Sequence, residues 1–250
     1  MRILFVVSEF PSLSETFILD QITGLMSRGH DVSIFASKAS ETAISHSQVE
    51  EFNLLGRTIY SLTPQSGIVR ALHALPLLLR TVPINGVRKL AAMNFFRYGS
   101  YAASLRLFYD AVSFPERSDF DIIHCHFGPN GNRAALLKNL GVLQGKLVTT
   151  FHGYDLSLLV AKHGPKFYSR LFSTGDLFLP ISEHWRRRLI ELGCDQSRIM
   201  VHRMGIECAK FAFTTKQIKP NGPIRLVSIA RLVEKKGIEY AVRAWEHSCR

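Results

Sequence analysis

Two short stretches of the sequence hold side chains whose types and spacing could do chemistry. In Thr149-Thr150-Phe151-His152-Gly153-Tyr154-Asp155, an imidazole and a carboxylate follow a β-rich run. A strand ending there delivers both groups to the carboxyl edge of a parallel sheet, where open α/β folds bind ligands. Gly153 permits a sharp exit, so that His152 projects into a cleft instead of the core. In the second stretch, Leu226 to Gly237, a strand is expected to end at Arg231, and Lys236 follows where a helix begins. Two cations beside the positive end of a helix can converge on one diphosphate. Each stretch alone has a plainer reading: a structural histidine in the first, solvated charges in the second.

His124 and His126 form an H-x-H pair in an expected strand, which puts both rings on one face. Such a pair could supply two legs of a metal site, but spacing identifies no third ligand, so a structural or substrate-lining role is expected and no metal. Arg186, Arg187 and Arg188 form the densest basic run, just after Trp185 at a helix start. They read as a solvated helix face, with a patch for acidic lipid or a polyanionic acceptor as the alternative.

The elements that must position these groups alternate between β-rich runs and helical patterns, the pattern of a parallel sheet covered on both faces. Strands are expected at residues 2–7, 31–36, 120–127, 146–151, 176–182 and 198–203. A capping-box spacing at Ser12 and Glu15 predicts a helix start, with Ile18, Ile22, Leu25 and Met26 on one stripe before Gly29. Residues 66–112 differ in character: Arg70, Arg80, Arg88, Lys89, Arg97 and Arg106 punctuate an apolar helical pattern whose one acid is Asp110. Pro76 and Pro83 are expected to divide that pattern into separate helices. It reads as ordinary helices packed on the sheet, or as a surface that lies on anionic lipid.

The expected fold is α/β, a Rossmann-like doubly wound parallel sheet over residues 1–204. A linker follows at 205–223, rich in Lys, Pro and Gly, and then the first βα unit of a second Rossmann-like domain at 224–250. A single βα unit cannot cover both faces of its own strand.

The chain has 250 residues, 46% of them apolar, enough for a large core. A net charge of +11, from 31 Lys and Arg against 20 Asp and Glu, implies a surface that meets anions. Aromatics do not interleave with the basic residues in a nucleic-acid-binding motif, so nucleic acid is not an expected partner. The apolar run at Ile3–Val7 is followed at once by Ser8 and Glu9, so it is expected to be a first strand and not a signal peptide, and no uninterrupted apolar stretch is long enough to span a bilayer. Cys125, Cys194, Cys208 and Cys249 have no C-x-x-C spacing, so a reducing cytoplasm is expected, with a peripheral place on the inner face of the membrane if the basic segment meets lipid.

Taken together and in order, these motifs resemble the retaining family-4 glycosyltransferases of the two-Rossmann-domain (GT-B) type, in their bacterial exopolysaccharide and colanic-acid branch. The resemblance runs through Phe10 to Ile18, His124 to Gly128, Thr150 to Asp155, Val201 to Glu207 and Arg231 to Gly237. It implies transfer of a sugar from a nucleotide diphosphate-sugar to a hydroxyl with retained configuration, without a cofactor. The acceptor would be a saccharide or lipid-linked saccharide.

By the same resemblance, His152 and Asp155 are the catalytic candidates, and Arg231 and Lys236 neutralise the departing diphosphate. Ser14, Glu15, Thr16, His126, Gly153, Gly205 and Glu207 line the cleft. The chain departs from the family at Ser12-Leu13-Ser14, where many members carry two glycines, at Ala230 for glycine, and at Glu207 for aspartate. The family's paired glutamates, E-x7-E, belong to a segment deeper in the second domain that the sequence does not reach before Arg250, so the chain by itself is expected to turn over little. The alternatives are a nucleotide-sugar epimerase on the same scaffold, and an inactive fragment that binds acceptor or membrane.

Overall fold

The structure is a computed structural model that describes residues 1–41, 45–114, 118–206, 208, 213–215, 225–230 and 232–248, with the backbone course alone for 81–88. The chain divides into two compact units, Met1–Ile206 and Glu207–Arg250.

The first unit opens with β1 (Arg2–Phe10), α1 (Thr16–Met26), β2 (Asp31–Ala39), α2 (Ser47–Glu51) and β3 (Thr58–Tyr60). A helical insertion follows: α3 (Gly67–Ala91), α4 (Phe95–Tyr98), α5 (Ser100–Ala103) and α6 (Arg106–Val112). Then come β4 (Ser118–His126), α7 (Gly128–Asn139), β5 (Leu143–Phe151), α8 (Leu158–His163), α9 (Ser169–Thr174), β6 (Leu177–Pro180) and α10 (Glu183–Glu191).

The six strands form one sheet in the order β3-β2-β1-β4-β5-β6. Every pairing is parallel. Reversal of strand order beside β1 is the doubly wound arrangement, which opens a crevice at the carboxyl ends of the central strands. β1 shows why the sheet forms there. Ile3, Leu4, Phe5, Val6 and Val7 are all buried, with Leu4 and Val6 in one core cluster and Ile3, Phe5 and Val7 in the other. Alternate side chains thus feed the layers on opposite faces, as a central parallel strand requires.

Several elements differ from expectation. β3 is an additional strand; at three residues it is too short to carry a readable pattern. Residues 198–203 form no regular strand: Ile199 makes one parallel bridge to Phe178, and the amides of Met200 and His202 donate to the carbonyls of Phe178 and Pro180. α3 runs unbroken through Pro76 and Pro83 for 25 residues. An internal proline costs ~3 kcal/mol, but Ala74 is buried and Leu77 and Leu78 pack on the core beside it, and burying such side chains offsets that cost by about 1.5–3 kcal/mol each when complete. The capping box is also absent. Glu15 occupies the N-cap position of α1 without a side-chain cap bond, and the Ser12 carbonyl accepts from the Glu15 amide.

In the second unit a short 3-10 turn, Glu234–Lys236, precedes α11 (Ile238–Ser248). The strand expected at 225–230 is not formed; Leu226, Val227 and Ile229 are 71, 82 and 95% exposed. Extended backbone is held by a neighbouring strand's donors and acceptors, and among the described residues none is paired there. Most of the expected linker, and Arg231 with it, lies outside the described residues.

Candidate active site

All strands run the same way, so β1, β4, β5 and β6 end on one edge. His152 follows β5 directly. At Gly153 the backbone takes φ +95°, and a Cβ there would stand 2.7 Å from the Trp185 indole. Glycine is thus required twice, for the left-handed turn and for the closeness of Trp185. Gly153 is buried under that indole and shapes the exit; it does not line a cleft.

Asp155 is fully buried. Its carboxylate accepts from the amides of Gly153 at 2.8 Å, His152 at 3.1 Å and Gly128 at 2.9 Å. The Tyr168 hydroxyl donates to its carbonyl at 2.9 Å. Burial raises its pKa to about 6 against the lowering pull of the amide donors. The catalytic role expected for Asp155 is therefore corrected. Its oxygens are sealed and spent on backbone, so it positions His152 by tying the β5 exit to the start of α7. Gly128 belongs to the same lock, because a Cβ there would meet Tyr168 at 2.5 Å and Phe151 at 2.7 Å.

His126 is also corrected. It is 1% exposed and stands behind His152 instead of lining the edge. His126 Nδ1 lies 3.1 Å from His152 Nε2, and His126 Nε2 lies 3.0 Å from Gln21 Oε1. An amide oxygen only accepts, so His126 carries its proton on Nε2 and its Nδ1 must accept from His152 Nε2–H. That chain fixes the His152 tautomer and leaves Nδ1 as the basic nitrogen of its ring. His124 stacks on His126 with centroids 4.8 Å apart, and its Nε2 is 2.8 Å from Thr150 Oγ1.

Burial lowers the pKa of His124 and of His152 to about 4, and holds that of His126 well below the usual imidazole value. For His124 and His126 the neighbouring histidines add to the effect, His202 among them. The rings are therefore neutral at pH 7, as the tautomer chain requires. Among the described residues, no group of three or more His, Cys, Asp or Glu is placed to hold a metal ion.

Aromatic rings frame the half-buried His152. Phe127, just past β4, has its centroid 4.4 Å away, and Phe17 of α1 is at 4.8 Å. Phe17 brings the start of α1 to His152, with Ser14 and Thr16 exposed and Glu15 partly buried. Burial, and then Glu9, raises the Glu15 pKa. Gly205 is exposed. Lys236 is exposed in the second unit, while Arg231 and Glu207 lie outside the described residues. In the basic run on α10, Arg186 and Arg188 pair with Glu183 and Glu191, at 3.9 and 2.9 Å.

Sequence reasoning missed Gln21, Phe17, Phe127, Gly128 and Trp185. Gln21 sits five residues into α1, but nothing in its own neighbourhood marks it as the partner of a histidine on β4.

A doubly wound parallel sheet with an oriented, neutral imidazole on its carboxyl edge, beside a helix start, defines a Rossmann-like α/β protein. The chain belongs to glycosyltransferase family 4, whose model matches residues 14–210. It is 38% identical over 249 residues to WcaL of Salmonella typhimurium, described as a colanic acid biosynthesis glycosyltransferase, covering 98% of this chain and 60% of that protein. It is 37% identical over 247 residues to the amylovoran biosynthesis glycosyltransferase AmsK of Erwinia amylovora, with the same two coverages of 98% and 60%. The chain thus spans 60% of the length of these curated relatives. Among solved structures, HepE of Anabaena in complex with UDP-glucose aligns at 13% identity and a TM-score of 0.48, covering 86% of this chain and 46% of that one.

Proposed function

We propose that this sheet edge serves the transfer of a sugar from a nucleotide diphosphate-sugar to a hydroxyl of a saccharide or lipid-linked saccharide, with retention, in the assembly of a cell-surface polysaccharide. The observation that carries the reading is the oriented His152. A neutral imidazole with a basic Nδ1 can accept a hydrogen bond from a sugar hydroxyl, and Asp155, His126 and Gln21 preorganise it to do so. The relatives' names, for colanic acid and amylovoran, support polysaccharide assembly as the setting. Arg231 and Lys236 would stabilise the diphosphate as its bond to the sugar breaks, a task that suits preorganised cations and is worth several kcal/mol in such sites. No cofactor is required, because the leaving group comes with the donor. The acceptor and the basic surface together favour work at the inner face of the cytoplasmic membrane.

The test is product analysis on the protein extended to the length of its relatives, with a panel of nucleotide sugars and extracted acceptor lipids. Transfer from one donor is expected, and Lys236→Ala should reduce it strongly. Formation of an epimer from donor alone would replace this reading with the epimerase one.

A further inference from the structure

We propose that the face of α3 turned away from the core docks on an anionic phospholipid surface. This names the contact surface for the membrane setting of the function above, and it rests on that reading only for the choice of a bilayer.

The two sides of α3 are distinct. Ala74 is buried, and Leu77 and Leu78 pack on the core. Ile68, Leu72, Leu75 and Leu79 recur at i, i+4, i+7 and i+11, which places them along one stripe on the other side. They are 75, 69, 62 and 68% exposed. A short way on, Phe95 and Phe96 of α4 are 58 and 99% exposed. A contiguous apolar stripe left in water marks an interaction surface.

Charge identifies the occupant. From residue 52 to residue 109 there is no Asp or Glu, while Arg57, Arg70, Arg80, Arg88, Lys89, Arg97 and Arg106 fall in that span. Asp110, which ends it, is buried and engaged by Arg133. Arg80, Arg97 and Arg106 are exposed. Beside the exposed phenylalanines, Arg97, Tyr98, Asn139, Ser169, Arg170 and Ser173 line an open groove that holds no carboxylate. Both guanidinium groups lie over the Tyr98 ring, at 5.5 and 5.6 Å from its centroid. Cations with hydroxyl and amide donors suit phosphate, and the apolar stripe suits the acyl boundary beneath it. A second copy of the chain would bring the same acid-free surface and be repelled. A nucleic acid would satisfy the arginines and leave the leucines in water. Among the described residues no helix is long and apolar enough to cross a membrane, so the contact is peripheral.

The experiment is co-sedimentation of the 250-residue chain with phosphatidylcholine vesicles, with and without phosphatidylglycerol, at low and high salt. Binding is expected only with phosphatidylglycerol, and weaker in salt. Arg97→Glu should weaken it about fivefold or more, and Leu75→Asp with Leu79→Asp about tenfold. Circular dichroism should remain unchanged, since these side chains are exposed. Leu158→Asp and Lys162→Glu, both exposed on α8, should bind as the parent does. Equal binding to neutral vesicles, full binding by the Leu75 and Leu79 variant, or equal losses in the α8 variants would each overturn the proposal. So would a stable dimer, or capture by duplex DNA, in place of vesicle binding. The measurement uses no sugar donor, so its failure is distinct from failure of the transfer reading.

Discussion

His126 Nδ1 and His152 Nε2 stand 3.1 Å apart, and this one bond joins a buried ring on β4 to an edge ring after β5. Because Gln21 accepts from the far nitrogen of His126, α1 also takes part in setting which nitrogen of His152 is basic. The edge imidazole is thereby tied to α1, to β4 and to the exit of β5.

The tautomer chain can be read directly. In protein labelled with 15N-histidine, His152 should carry its proton on Nε2, with Nδ1 bare. Gln21→Leu removes the terminal acceptor, so His126 and His152 should become mixtures of tautomers. Identical ring shifts in the parent and the variant would mean that Gln21 does not hold the chain.

Stability should rise with pH between about 4 and 6.5. His124 and His152 titrate at about 4 in the folded chain, against a reference of 6.5, and burial holds His126 well below that reference too. In that window the unfolded chain takes up protons that the folded rings refuse, at roughly 3 kcal/mol for a ring so shifted. Asp155 acts in the opposite sense: its raised pKa gives stability below 3.8 that is lost as pH rises through about 6. Three imidazoles outweigh one carboxylate. Urea unfolding midpoints should climb through the window and level off above it, and His124→Gln should flatten the climb.

Asp155→Asn should destabilise the fold by about 1–3 kcal/mol, since an amide NH2 must replace one acceptor oxygen opposite the backbone donors of Gly128, His152 and Gly153. Thermal melting measures it. A variant as stable as the parent would show that the three amides find other partners.

Arg133 and Asp110 form a bidentate pair, with contacts of 2.5 and 2.6 Å, and both side chains are nearly buried. Asp110→Ala leaves a buried guanidinium without its carboxylate and should cost ~3–5 kcal/mol. Denaturant melts check the value, and a loss below 1 kcal/mol would indicate that Ser37, which Arg133 also touches, suffices.

Much of this was legible in the sequence where a local pattern sets the outcome. The apolar run at Ile3–Val7 reads as a buried central strand, and Gly153 after Phe151 reads as a sharp exit that frees His152. What was not legible depends on register between distant strands. His126 pairs with Thr150 across β4 and β5, and that register places its ring behind His152. Nothing within His124-Cys125-His126 reveals it. Asp155 looks like a second functional group because only the folded turn shows three amides aimed at it. The prolines of α3 mislead for a similar reason, since packing on a distant core outweighs a local penalty.

The account depends most on His152 acting at the sugar. The most direct measurement is the rate of labelled-sugar transfer by the protein extended to its relatives' length, comparing the parent with His152→Ala. The account predicts a loss of about a hundredfold or more, as expected for removal of one preorganised transition-state contact, with the melting temperature held. Transfer by His152→Ala at the parent rate would contradict it.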